Sequence, residues 1–200
     1  MTEALGEIIE STSLKVVAES FSFLQPPPLG SLVKAKQYGR DGWIYGVVSF
    51  GATVSIDPGR RVTRRSTPSA LDENVYREHP QLEHVLRTEF EAALVGSKDA
   101  DGTLHRHLPS QPPPLHYSVY RCSPEEVSEF SENLGYLWVL LDFHGVLSPE
   151  RLIAAHFREV YHQRGNDLNW LEEAAKAASR MFKNEYDKLT SVLLAIEPER

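Results

Sequence analysis

The chain has 200 residues, enough to bury one large hydrophobic core or two small ones. It is 41% apolar and 24% charged, as soluble globular proteins are, and its longest apolar run, residues 136–141, is far too short to span a bilayer. Residues 1–122 carry 13 basic and 14 acidic side chains, whereas residues 123–200 carry 8 and 14. The C-terminal part is therefore not expected to seek a phosphate backbone, although the N-terminal part could do so locally.

Cysteine usage and the N-terminus bear on the cellular compartment. A single cysteine, Cys122, excludes an intramolecular disulfide and a zinc cluster of thiolates, and we expect it to be a small buried residue. The first residues lack the basic segment and apolar run of a secretory signal peptide, so none is expected. These features favour a reducing, cytoplasmic location.

Short β-branched segments at the front of the chain predict strands. Residues 5–18 predict two strands joined by a turn at residues 11–13, where Ser and Thr are clustered. Residues 29–33 and 43–48 predict two more strands. Between these lies a Gly-Arg-Asp-Gly sequence at residues 39–42, which supplies the residue types of a tight turn.

The strand pattern continues to the middle of the chain. A fifth strand is predicted at residues 52–56, followed by an Asp-Pro-Gly turn at residues 57–59. A short helix is predicted at residues 72–79, and returning strands at residues 89–95 and 117–120.

An arginine segment follows the fifth strand. Arg60, Arg61, Arg64 and Arg65 lie within six residues and form the basic cluster of the chain. One interpretation is a contact with phosphate or nucleic acid. The other is a solvated loop, or arginines that pair with a neighbouring acidic subunit, and we favour it because no aromatic residues are interleaved with the arginines.

Histidines are the candidate metal ligands. His105 and His107 are one residue apart, so on a strand they would share a face and could supply two ligands. No third ligand lies nearby in the sequence, and we favour exposed loop histidines. A metal enzyme or hydrolase that uses His105, His107 or His116 is the remaining enzymatic hypothesis. A calcium loop at residues 97–102 is not favoured, because its acidic residues are too sparse.

The chain becomes helical after Cys122. Ser123-Pro-Glu-Glu126 combines an N-cap, a proline at the first helical position and a capping box. Residues 134–143 predict a second helix, although their apolar run also fits a buried strand. A third helix begins at Ser148, and a long last helix is predicted to reach Ile196. The apolar stripe of this last helix is Leu171, Ala174, Ala175, Ala178, Met181, Phe182, Tyr186, Leu189, Val192 and Leu193.

These elements predict an α+β fold: a small β-barrel over residues 1–122 followed by an α-helical domain over residues 123–200. No glycine precedes a lysine, so a phosphate-binding loop is absent, and the zinc-protease, Cys-x-x-Cys and Gly-x-Ser-x-Gly motifs are absent too. We therefore predict no catalytic residue, cofactor or metal site.

Three short segments carry a resemblance to a known barrel: Leu5-Gly6-Glu7-Ile8-Ile9-Glu10, Leu29-Gly30-Ser31-Leu32-Val33 and Ile44-Tyr45-Gly46-Val47-Val48. This pattern resembles the HAS barrel, the small β-barrel shared by HerA-type DNA-translocating ATPases and the N-terminal crown of ATP synthase subunits. The resemblance implies a barrel that builds an assembly and docks a partner such as a nuclease. HerA-type proteins continue into an ATPase domain, whereas this chain has no phosphate loop, so no catalytic residue is carried over.

The expected function is a non-enzymatic assembly or adaptor protein. Its barrel would mediate oligomerisation or dock a partner protein, such as a P-loop ATPase or a nuclease. The alternative is a nucleic-acid accessory factor that contacts phosphates through the four arginines.

Overall fold

Alternating apolar residues form strands in the N-terminal part of the chain, and apolar residues at helical spacing form helices in the C-terminal part. The computed structural model describes residues 3–57, 59 and 61–197. The strands are β1 (Ala4–Ser11), β2 (Lys15–Ser20), β3 (Leu32–Lys36), β4 (Trp43–Ser55), β5 (Leu86–Lys98), β6 (Leu104–His105) and β7 (Ser118–Arg121). The helices are α1 (Glu73–Glu78), α2 (Pro124–Ser131), α3 (Leu137–Leu141), α4 (Pro149–Gln163), α5 (Leu168–Met181) and α6 (Tyr186–Ile196).

The strands form one antiparallel sheet in the order β2-β1-β7-β3-β4-β5-β6. β5 also pairs with β2, through residues 89–93 and 15–19, so the pairings of six strands return to the strand from which they start. The short β6 pairs with the far end of β5, at Ser97 and Lys98. The predicted α+β class is confirmed as a large antiparallel sheet combined with helices.

One hydrophobic cluster draws side chains from each of the six strands in this circuit. It consists of Leu5, Ile8, Val16, Ala18, Val33, Ala35, Ile44, Val48, Phe90, Ala92, Leu94 and Val119. Along β3 and β5 these residues occur at alternate positions, as expected for side chains on one face of a sheet. The six strands therefore share one core.

The opposite face of β3, β4 and β5 packs against the helices. Leu32, Tyr45, Val47, Ala93 and Val95 belong to a second core, together with apolar residues of α2 to α6. Because β4 and β5 are buried on both faces over part of their length, they contain continuous apolar runs, at residues 43–48 and 92–95, rather than alternating ones. The division of the chain at Cys122 stays a prediction, since this second core contains residues from both sides of that boundary.

β4 differs from the sequence prediction of two separate strands. It is one strand of 13 residues, with register shifts between Tyr45 and Gly46 and between Val48 and Phe50. Bulges of this kind bend a strand without ending it. Gly51 marks a close approach rather than a break, because a Cβ there would lie 3.2 Å from the ring of Pro26.

The predicted helix starts are present in the structure. The Ser123 hydroxyl accepts a hydrogen bond from the Glu126 amide, and the Glu126 carboxylate accepts one from the Ser123 amide, which completes the capping box. The ambiguous segment at residues 134–143 is helical, as a 3₁₀ turn (Leu134–Tyr136) that runs into α3. Cys122 is buried as expected, and this burial raises the pKa of its thiol.

The prediction of a single long last helix is wrong, because the chain breaks between α5 and α6. Phe182 is buried in the helical core, and the amide of Glu185 donates to its carbonyl at 2.9 Å, which closes a turn. This turn brings Val192 and Ile196 back into the same core, with α6 packed along α4. A straight helix could not bury both Phe182 and Val192 against one short layer.

A buried lysine connects the sheet to α2. Lys34 of β3 is 4% exposed, forms an ion pair with Glu126, and lies 4.4 Å from the ring centroid of Trp43. Because Glu126 is also the capping-box residue, one carboxylate satisfies both the helix terminus and the buried ammonium. A buried charge is tolerated only with such a partner.

The closest approach of sheet and helices is at Gly30, directly before β3. Gly30 has a φ of 88°, and a Cβ at this position would lie 2.5 Å from the carbonyl carbon of Ala155 in α4. The next residue of α4, His156, donates from Nδ1 to the Gly30 carbonyl at 2.7 Å, and its Nε2 accepts from the Tyr136 hydroxyl at 2.8 Å. Burial lowers the pKa of His156 to about 4, so the ring is neutral at pH 7.

Gly30→Ala is expected to lower the free energy of unfolding by about 3 kcal/mol or more, since it adds both strain and a backbone clash. Gly102→Ala is the matched control, because Gly102 has a similar φ of 91° but no atom within 4 Å of an added Cβ. The control should lose only about 1 kcal/mol. Urea unfolding followed by circular dichroism measures both, and equal losses would contradict the close contact.

Acid should destabilise the protein through His156. The unfolded chain takes up a proton at the ordinary histidine pKa of 6.5, whereas the folded protein does so only near 4. Stability is therefore lost as the pH falls through this window, by about 2 to 3 kcal/mol at pH 4.5. In urea unfolding at pH 7 and pH 4.5, His156→Gln should remove this part of the loss. The exposed control His144→Gln should keep it.

Candidate functional site

Residues 61–65 of the arginine segment lie between β4 and α1 and have no regular structure. Arg61, Arg64 and Arg65 are exposed, and Arg60 lies outside the described residues. Arg61 and Arg65 line the same cavity of about 160 Å³, whereas Arg64 does not. Among the described residues, no carboxylate lies within ion-pair distance of these three arginines. Their guanidinium groups are thus open to solvent and to a ligand.

The histidines are only partly brought together. The rings of His105 and His107 lie 5.5 Å apart, and Nε2 of His105 is 2.8 Å from the carboxylate of Asp99. His116 lies on a different loop, hydrogen-bonded to Glu7 at 2.7 Å and largely exposed. In the described parts of the chain, no three His, Cys, Asp or Glu side chains are placed to hold a metal ion. The metal-enzyme hypothesis gains no support from this geometry.

An apolar groove runs between α5 and α6. It has a volume of about 570 Å³ and is lined mainly by apolar side chains: Leu168, Leu171, Ala175, Tyr186, Leu189, Leu193, Leu194 and Ile196. Leu168 is 61% exposed, Tyr186 79% and Leu194 68%. Contiguous apolar surface of this kind is uncommon on monomeric proteins and marks interaction surfaces.

Sequence reasoning assigned this surface to a buried stripe and so missed the groove. Tyr186 and Leu193 belong to the predicted stripe, but both are exposed, because α6 turns Val192 and Ile196 toward the core instead. The signal was present in the composition of α6, whose 11 residues include only two charged ones, Asp187 and Lys188. A helix that is apolar nearly all round is expected to be covered on more than one side.

Rim charges beside the groove are largely paired within the chain. The Lys176 ammonium lies 2.8 Å from the Glu172 carboxylate and 2.9 Å from that of Glu173. Lys188 forms an ion pair with Glu185. These contacts raise the pKa of both lysines. Glu197 also lines the groove, without an ion-pair partner among the described residues, so the rim carries an excess of negative charge.

A second, smaller apolar depression of about 210 Å³ lies between the β1–β2 turn and α3. Leu14 and Trp138 line it, and both are more than half exposed. It has less than half the volume of the groove between α5 and α6, which makes that groove the stronger candidate for an interface.

Comparisons with protein-family models and with curated proteins give no match to this chain. The resemblance to the HAS barrel therefore stays a prediction. In the part of the chain that the structure describes, each helix is too short or too polar to cross a membrane.

Proposed function

We propose that this protein is a non-enzymatic assembly module that forms a homodimer through the α5–α6 groove. The groove is the observation that carries this proposal. The strand circuit and the helical layer act as the scaffold that presents it.

The closed circuit of pairings supports a barrel as that scaffold. Six strands whose hydrogen bonds return to the first strand have fewer free edges than an open sheet, and this reduces the risk of edge-to-edge aggregation. A barrel of this size is filled by its own side chains, as the shared cluster around Phe90 indicates, and so has no interior room for a substrate. A packed barrel used for assembly fits the HAS-barrel resemblance.

A second copy is the occupant that best fits the groove. An isologous interface needs one surface that supplies both a protrusion and a recess. Leu194 and Tyr186 project from α6 beside the recess formed with Leu168 of α5. Two copies related by a two-fold axis could thus exchange leucines into each other's grooves. Apart from Glu197, the rim charges are paired within the chain and would not oppose such an interface.

Leu194→Glu is expected to convert a dimer into a monomer, because it places a charge in the centre of the interface. The dissociation constant should rise at least about 100-fold, the effect of losing a central apolar contact. Size-exclusion chromatography with light scattering, over a range of protein concentrations, measures this. Leu115→Glu is the matched control, since Leu115 is 52% exposed on a loop far along the chain and should leave the dimer intact.

A wild-type protein that stays monomeric at the highest concentrations would contradict the dimer. A variant Leu194→Glu that dimerises as tightly as the wild type would contradict the role of the groove. Retained circular dichroism in both variants shows that each one is folded.

The second candidate function is contact with nucleic acid through the arginine segment. The observation that favours it is the exposure of Arg61, Arg64 and Arg65 without a carboxylate partner among the described residues. The near-neutral balance of residues 1–122 leaves such a local contact unopposed.

Replacing these three arginines by Gln should weaken binding to duplex DNA and flatten its salt dependence by about 0.9 in the log–log slope per lost phosphate contact. Fluorescence anisotropy at several salt concentrations gives both values. A variant that replaces the exposed Arg151 and Arg180 by Gln controls for lost charge elsewhere on the surface. Absence of binding to any DNA or RNA at low salt would contradict this second function.

A further inference from the structure

A polar cleft lies at the end of the sheet, away from the groove. Its volume is about 270 Å³, and its wall combines three segments: the β3–β4 turn, the end of β5 with its hairpin, and the proline-rich segment after β6. Pockets for drug-sized ligands begin at about 300 Å³, so this cleft suits a small molecule.

Cationic and hydrogen-bonding side chains dominate the polar part of this wall. Arg40 lines the cleft from the β3–β4 turn, and no carboxylate among the described residues lies within ion-pair distance of it. His107 lines it from the proline-rich segment and donates from Nδ1 to the Leu108 carbonyl at 3.0 Å. Its Nε2 is therefore an acceptor for a ligand O–H in the neutral ring and a donor to a ligand oxygen in the imidazolium. Amide and hydroxyl groups of Gln37 and Ser110 add further donors.

Asp99 is the one carboxylate among the described residues of the wall, and it is hydrogen-bonded to His105. It lies 2.8 Å from Nε2 of His105, so a hydrogen bond holds the carboxylate on the imidazole. Because that carboxylate is held on His105, Arg40 is the charged group of the wall without an ion-pair partner among the described residues, and it favours an anion.

Apolar and aromatic side chains also line the cleft. Pro109 and Pro112 line it from the proline-rich segment, and Tyr38, which is 73% exposed, lines it from the β3–β4 turn. Proline and tyrosine side chains pack against a planar carbon skeleton, while guanidinium and imidazolium groups donate to phosphate oxygens. We propose that this cleft binds a small organic phosphate, with Arg40 and His107 on the phosphate and the prolines and Tyr38 on its carbon skeleton.

The test uses phenyl phosphate as the probe, followed by amide shifts in nuclear magnetic resonance spectra of the whole chain. Phenyl phosphate should bind with a dissociation constant of about 1 mM or tighter. Inorganic phosphate should bind more weakly at the same residues, and phenol should bind least. Arg40→Gln and His107→Asn should each weaken phenyl phosphate about tenfold.

The direction in which Asp99→Asn changes the affinity for phenyl phosphate distinguishes an anion site from a cation site. This substitution removes a like charge and releases His105, so it should tighten phenyl phosphate about threefold or more. Arg180→Gln, which removes an exposed arginine of α5, is the matched control and should change nothing.

Three results would overturn the proposal. One is the absence of saturable shifts around the cleft at millimolar phenyl phosphate. Another is phenol binding as well as phenyl phosphate does. The third is weaker binding in Asp99→Asn, which would mean that the carboxylate, rather than the cations, recognises the ligand.

Discussion

The contact between the Gly30 backbone and α4 is the constraint on which the rest of the structure depends. Only a residue without a Cβ allows this contact, because a Cβ would lie 2.5 Å from the carbonyl carbon of Ala155. His156 then fixes the approach with its hydrogen bond to the Gly30 carbonyl. α4 in turn supports α6, so the position of the α5–α6 groove is set by the strand junction before β3. An isolated helix of 11 residues would not be stable without that support.

Local signals made much of the fold predictable. The capping box at Ser123, the turn at residues 39–42 and the strand at residues 89–95 each depend on neighbouring residues, and the structure contains each of them. The strand before the turn was predicted too early, at residues 29–33, whereas β3 is Leu32–Lys36. The pairing of β2 with β5 and the continuity of β4 were not predictable, because they depend on contacts between residues about 75 positions apart and on bulges that carry no sequence signature.

The candidate sites show the same division. The exposure of Arg61, Arg64 and Arg65 followed from the composition of their segment, and the proximity of His105 and His107 followed from their spacing. The cleft forms where three segments that are distant in sequence meet, so the sequence did not indicate that Arg40 and His107 line the same cleft. The groove was not predicted, because the helical spacing of apolar residues continues across the break at Phe182. The predicted stripe is therefore divided between two helices, and its residues in α5 and in α6 face different directions.

The central claim is that sheet and helices form one cooperative unit held at Gly30, with the groove as its outward surface. Native-state amide hydrogen exchange tests this most directly. The slowest amides of β3, β4 and α4 should exchange through a single opening, with the same free energy and the same dependence on denaturant. Helical amides that open at a clearly lower free energy than those of the sheet would show two independent units and contradict the account.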